Sequence, residues 1–218
     1  MTVKTLVCDV GSGSVRVAIL EYSQSGILQS KPLAHRTKEI TIFNNETDFY
    51  EQNSTEIWEA FCECSRECLK DSNVQEVDAI AFSATCSLVI LEKESDQNDV
   101  IMWMDHRAKE QARKITKTGH QVLKQFGGSC SPEFSLSKIL WLKECDTKRF
   151  DSANGFMELP DWLSYRCSDT FGNPEDFPRS VCSVVCKWGF DGEKLQWPEN
   201  FFVDIGLFVF LNIFFIQF

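Results

Sequence analysis

These 218 residues have no surplus of positive charge, no Cys-x-x-Cys pair and no apolar run long enough to span a membrane. Each absence removes a class of function. There are 22 Lys and Arg against 32 Asp and Glu, for a formal charge of -10 and a pI near 4.8. The clustered cations that a nucleic-acid surface needs are missing, so no nucleic-acid partner is expected. A small anionic ligand stays open, because a turn of backbone N–H groups holds phosphate even on an acidic protein. The ten cysteines are not spaced as zinc ligands or as a disulfide framework. Cys62, Cys64 and Cys68 follow a helical pattern. Cys8 and Cys86 sit in apolar, strand-like surroundings, where cysteine packs as a small hydrophobe. The opening "MTVKTLVCDV" has no signal-peptide core. Reduced thiols and a cytoplasmic location are the expectation.

What is present is the composition of a globular protein, 43% hydrophobic and 25% charged. The length is ample for one core and marginal for two ordinary domains. The most apolar stretch is the end, "LFVFLNIFFIQF", residues 207–218. A span needs about 20 apolar residues and Asp204 interrupts any extension backwards, so no membrane partner is expected. Left exposed, such an uncharged, β-prone end aggregates. It reads as a divergent hydrophobic tail behind a domain over residues 1–206, and its removal is expected to improve solubility.

The first forty residues predict strands. Val3 to Val10 is one apolar run, and Val15, Val17 and Ile19 alternate in a second, joined to the first by Gly11-Ser12-Gly13-Ser14 as a hairpin. The segment through Ile42 continues the sheet, with Gly26 turning the chain and Ile40 and Ile42 forming an edge. A helix is predicted over 54–69, capped by Asn53 with Glu56 closing a capping box. Its buried face is Ile57, Trp58, Phe61, Ser65, Cys68 and Leu69. Strands follow at 77–83, 87–91 and 100–104, with a loop over 92–99. Helices are expected at 107–117, 121–126, 135–144 and 161–166, the last entered through Pro160. This order favours an α/β domain over a bundle or sandwich.

Three stretches carry candidate chemistry. In "LVCDVGSGSVRVAIL" the glycines admit close approach of backbone N–H groups, and Ser12 and Ser14 add short donors. The stretch lacks both the third glycine of a dinucleotide fingerprint and the Gly-Lys-Ser/Thr of a Walker loop. A carboxylate here would repel phosphate directly, so a useful role for Asp9 is to orient Mg²⁺ or its waters. The alternative is an ordinary turn. In "MWMDHR" an apolar strand runs into Asp105, His106 and Arg107, groups able to bind sugar hydroxyls. The alternative is that Asp105 caps a helix and Arg107 is solvated. In "FSATCS" small polar residues interrupt a strand, either to admit a ligand or as a bulge.

Together and in this order, "DVGSGSVRVAIL", "EQNSTEIW", "IAFSATCSLVIL", "VIMWMDHRA", "LPDWLSYRC" and "RSVCSVVCKW" resemble the N-terminal domain of the FGGY family of carbohydrate kinases. Within it they are most similar to eukaryotic D-ribulokinase-like members. The resemblance covers roughly residues 3 to 206. It implies a ribonuclease H-like α/β fold of the actin and hexokinase type, a mixed sheet with flanking helices, of which only the first of two family domains is present. It implies ATP-dependent phosphorylation of a pentulose similar to D-ribulose. The family's phosphate loop maps onto Asp9, Gly11, Ser12, Gly13, Ser14 and Arg16, with Asp9 as the Mg²⁺ residue. The sugar side maps onto Trp103, Asp105, His106 and Arg107, with Thr85, Cys86 and Ser87 after Ala84 lining the same cleft. The family's catalytic aspartate falls in a segment beyond residue 218, so no catalytic residue is assigned. The chain by itself is expected to be inactive. The expected partners are the sugar and ATP, with a homodimer also in view; a non-catalytic fragment that binds a partner is the other reading.

Overall fold

The computed structural model describes residues 2–23, 25, 31–44, 46–92 and 99–208. These divide into two compact units, the described residues within 1–42 and 52–85 and those within 43–51 and 86–208.

The first unit is built on a four-stranded sheet. The predicted hairpin is present as β1 (Thr2–Val10) and β2 (Ser14–Ser23), antiparallel. β3 (Ala34–Glu39) pairs antiparallel with β2, and β5 (Ala79–Ala84) runs parallel to β1, giving the order β3-β2-β1-β5. Alternation decides which face is buried. Leu6, Cys8 and Val10 on β1 and Val15, Val17 and Ile19 on β2 are all nearly inaccessible. Helix α1 (Ser54–Ser72) lies over them with Ile57, Ala60, Phe61, Cys64 and Cys68, and the Cys68 thiol donates to the Val17 carbonyl.

The buried set of α1 differs from the sequence expectation: Ala60 and Cys64 belong to it, whereas Trp58, Ser65 and Leu69 are only half-buried. The Asn53 side chain accepts from Glu56 N–H at 2.9 Å, the expected cap. The Glu56 carboxylate accepts from Thr41 N–H and Oγ–H, which ties the exit of β3 to the helix start. β3 accordingly ends at Glu39: Ile40 is buried beyond it and Ile42 is exposed, so neither forms the sheet edge. Gly26 lies outside the described residues.

The second unit has another four-stranded sheet, ordered β4-β7-β6-β8, from β4 (Glu51–Gln52), β6 (Leu88–Glu92), β7 (Val100–Ile101) and β8 (Ala153–Glu158). Residues 85–87 connect β5 to β6, so the predicted interruption is a change of sheet rather than a bulge. β7 is shorter than expected because Met102 leaves the ladder: its N–H donates to the Tyr50 carbonyl and its own carbonyl accepts from Lys138. The helices are α2 (Lys109–Lys117), α3 (Ser135–Cys145), α4 (Thr147–Ser152), α5 (Leu159–Arg166), α6 (Val181–Lys187) and α7 (Glu199–Asp204). Residues 121–126 form a 3-10 helix closed by Gly127 in the left-handed region. The core joins β6 and α3 to Phe156, Trp188, Phe201 and Phe202. Leu207 is buried in it, with its N–H on the Phe202 carbonyl, while residues 209–218 lie outside the described residues. All ten cysteines are unbridged. No helix among the described residues is long and apolar enough to cross a membrane.

Candidate functional site

The β1–β2 register sets Asp9 directly opposite Arg16. Their side chains pair, Arg16 Nη2 to Asp9 Oδ2 at 2.6 Å, with about half of each exposed. Water and salt screen such a pair, so it is weak enough to open for a stronger ligand. Around the turn, Gly11 N–H donates to the Ser14 carbonyl at 2.9 Å and Ile40 N–H to the Gly13 carbonyl at 3.1 Å. Neither glycine lies in the left-handed region. At Gly11 a Cβ would stand 2.6 Å from Arg16 Nη2, the movable tip of a half-exposed side chain. An open groove of about 510 Å³ flanks the pair, with Val7, Ala18, His35 and Phe82 in its wall. The chemical inventory is a cation, a carboxylate, two hydroxyls and backbone donors on one rigid hairpin. Among the described residues no three His, Cys, Asp or Glu side chains converge. A lone carboxylate suits a hydrated Mg²⁺ that arrives with phosphate, because that ion keeps most of its waters.

The second cluster belongs to the other unit. Asp105 is fully buried and the Arg107 side chain is 2% exposed. Arg107 Nε reaches both Asp105 oxygens at 3.0 Å and Nη2 reaches Oδ2 at 2.7 Å. The Asp105 carboxylate also accepts from Tyr50 N–H at 2.7 Å and Arg107 N–H at 3.0 Å. Arg107 Nη1 goes on to Glu51 at 2.9 Å, and Glu51 takes Arg149 at 3.2 Å. The Arg107 guanidinium lies 4.0 Å above the Phe49 ring. The capping alternative is thereby corrected: α2 starts at Lys109 without a side-chain cap, and Arg107 is desolvated. Asp105 and Arg107 spend their hydrogen-bonding capacity on each other and on 49–51.

What this frame displays is Trp103, 37% exposed, and His106. His106 Nε2 lies 3.2 Å from Glu133 Oε1, both side chains 39% exposed. Ser87 is buried and its hydroxyl accepts from Trp103 N–H at 3.2 Å. Cys86 is exposed, and Thr85 donates its N–H to the Val10 carbonyl in the first unit. The hairpin residues thus form one assembly and Ser87, Trp103 and Asp105–Arg107 another.

Sequence reading missed the support beneath Trp103. Lys138, fully buried in α3, donates from Nζ to the Met102 carbonyl at 2.6 Å. Burial pulls its pKa down to about 8, against the opposing pull of Asp105 and Glu158. Glu158 is buried too, with Ser135 and Trp188 donating to one of its oxygens, and burial raises its pKa. The signal was a lysine inside the apolar run "SLSKILWL".

Residues 4–176 match the model of the FGGY family of carbohydrate kinases, N-terminal domain. An FGGY carbohydrate kinase domain-containing protein of Homo sapiens is 37% identical over 214 residues, 91% of this chain and 36% of its own length. A D-ribulokinase of Saccharomyces cerevisiae is 34% identical over 220 residues, 91% of this chain and 29% of its own. The chain therefore spans about a third of these relatives. Among solved structures, a gluconate kinase from Lactobacillus acidophilus superposes with a TM-score of 0.74 at 19% identity, covering 95% of this chain and 40% of that one. A glycerol kinase from Plasmodium falciparum gives 0.74 at 16%, covering 97% and 42%. At these identities the likeness carries the fold, and the ribonuclease H-like architecture is the observed one.

Two predictions follow from the buried charges. Asp105→Ala strands Arg107 in the interior and lowers the unfolding free energy by about 3–5 kcal/mol, read from urea titration, whereas Glu133→Ala breaks an exposed pair and costs less than about 1 kcal/mol. Lys138 gives a pH signature. Between about 8 and its ordinary 10.5 the unfolded chain binds a proton that the folded chain does not, so this group adds stability as pH rises. Cys130 acts oppositely: burial pushes its pKa from 9.0 to about 11, so stability falls as pH climbs through that window. Lys138→Met removes only the first contribution. Its unfolding free energy should fall more steeply with pH above 8 than that of the wild type.

Proposed function

The chain belongs to the FGGY family of carbohydrate kinases, and we propose that it forms the part of an ATP-dependent pentulose kinase that holds both substrates. The observation that carries this reading is the division of labour among its polar groups. Asp105 and Arg107 are sealed into a frame, which leaves Trp103, His106 and Glu133 accessible. On the hairpin, Asp9 and Arg16 are equally accessible. Phosphoryl transfer is mostly positioning and charge neutralisation, so a kinase needs such displayed groups rather than a buried nucleophile.

In this reading Arg16 releases Asp9 and turns to the nucleotide phosphates, joined by backbone N–H groups of the turn and the hydroxyls of Ser12 and Ser14. Asp9 orients the waters of the accompanying Mg²⁺, which neutralises phosphate charge. The sugar lies against the Trp103 ring, with His106 and Glu133 exchanging hydrogen bonds with its hydroxyls, and Asp105 and Arg107 hold that loop in shape. A pentulose similar to D-ribulose is supported by the name of the yeast relative. A cytoplasmic setting is supported by the unbridged cysteines. In this reading none of the displayed groups acts as general base, so the 218 residues by themselves bind without turning over.

Calorimetric titration tests this. The chain should bind MgATP and D-ribulose separately, with no ADP formed when both are present. Asp9→Ala and Arg16→Ala should each weaken MgATP roughly 10- to 100-fold, the size of a lost charge-assisted contact, and leave the sugar unaffected. Trp103→Ala should do the reverse. Binding of neither ligand would refute the reading.

A further inference from the structure

Gln52 is fully buried, and the two ends of its amide fare differently. Nε2 donates to the Ser12 carbonyl at 2.8 Å. Oε1 has no partner among the described residues. An unsatisfied buried acceptor is unfavourable, and an apolar side chain of the same shape would avoid that cost. The bond to Ser12 is what the glutamine adds.

That bond has a geometric consequence. A peptide unit is planar and trans, so the C=O of one residue and the N–H of the next point in opposite directions. Drawing the Ser12 carbonyl onto Gln52 turns the Gly13 N–H away from the interior. Beside the Gly13 Cα the space is open, since no heavy atom lies within 4 Å of where a Cβ would stand. The adjoining carbonyl is held as well, by Ile40 N–H. Two neighbouring carbonyls are thus tied down, one by a ladder-type bond and one by a buried side chain. A turn without Gln52 would keep the strands but lose the fixed direction of this peptide plane.

We propose that Gln52 is a positioning residue, which aims the Gly13 N–H at the bound nucleotide's phosphates by holding the Ser12 carbonyl. This rests on the reading of the hairpin as a phosphate loop. Gln52 touches no substrate itself. Its contribution is orientation of a backbone donor before the ligand arrives, so that binding does not have to order the turn.

The test uses the ¹⁵N-labelled 218-residue chain, wild type and Gln52→Met, titrated with MgATP. In the wild type the Gly13 amide resonance should move on binding. In Gln52→Met the affinity should fall roughly tenfold, the effect of one net hydrogen bond, while the thermal midpoint holds or rises because the orphaned acceptor is gone. Amide shifts in β1 and β2 outside the turn should be unchanged. A residue that merely supports the fold would lower the midpoint and move those strand resonances. Affinity within twofold of wild type overturns the inference and leaves the phosphate loop standing. A wild-type Gly13 amide indifferent to MgATP refutes the loop reading, and the inference falls with it. Should Gln52→Met not fold, Gln52→Leu reads the same quantities, and failure of both to fold makes Gln52 a stability residue and overturns the proposal.

Discussion

The buried ion pair between Arg107 and Asp105 sets what the second unit is able to display. Two charges taken out of water are stable only when their remaining donors and acceptors are filled. Tyr50 N–H, Arg107 N–H, Glu51 and the face of Phe49 do this. The pair therefore dictates where the segment 49–51 must run relative to residues 105–107. With both held, Trp103 and His106, which flank the buried Asp105, are presented on a fixed frame.

The same logic in weaker form governs the hairpin. Its ion pair is exposed and exchangeable, while the backbone under it is fixed by Ile40 and Gln52. Strong interactions lie beneath each cluster and weak ones at its surface. A site that binds charged ligands benefits from this distribution, because the groups that must change partners are those that water already competes for. Lys138 belongs to the strong set. Its burial is unfavourable enough to lower its pKa to about 8, yet the Met102 carbonyl it holds is the anchor from which Trp103 follows.

Much of the first unit was legible because its signals are local. Alternation over Val15, Val17 and Ile19, a glycine turn, and Asn53 ahead of an amphipathic run each act within a few residues, and the hairpin and α1 appear where they imply. The second unit was harder. β7 has two residues and β8 reads "ANGFME", with too little periodicity to mark a strand. α6, "VCSVVCK", is rich in β-branched residues and is helical against that propensity. In the candidate sites, residue types were legible and partners were not. Gln52 meets Ser12 across 40 residues and Lys138 meets Met102 across 36. No pattern within a window reveals such pairings. Asp105 and Arg107 read as ligand contacts because strand-end charges often are, and their burial against each other is not visible in the sequence.

The central claim, that one chain carries a phosphate hairpin and a separate sugar loop, is tested most directly by hydrogen–deuterium exchange with each ligand added alone. MgATP should slow exchange at residues 9–16 and leave 103–107 unchanged, and D-ribulose should do the opposite. Uniform slowing by either ligand, or no change at the hairpin with saturating MgATP, would contradict the account.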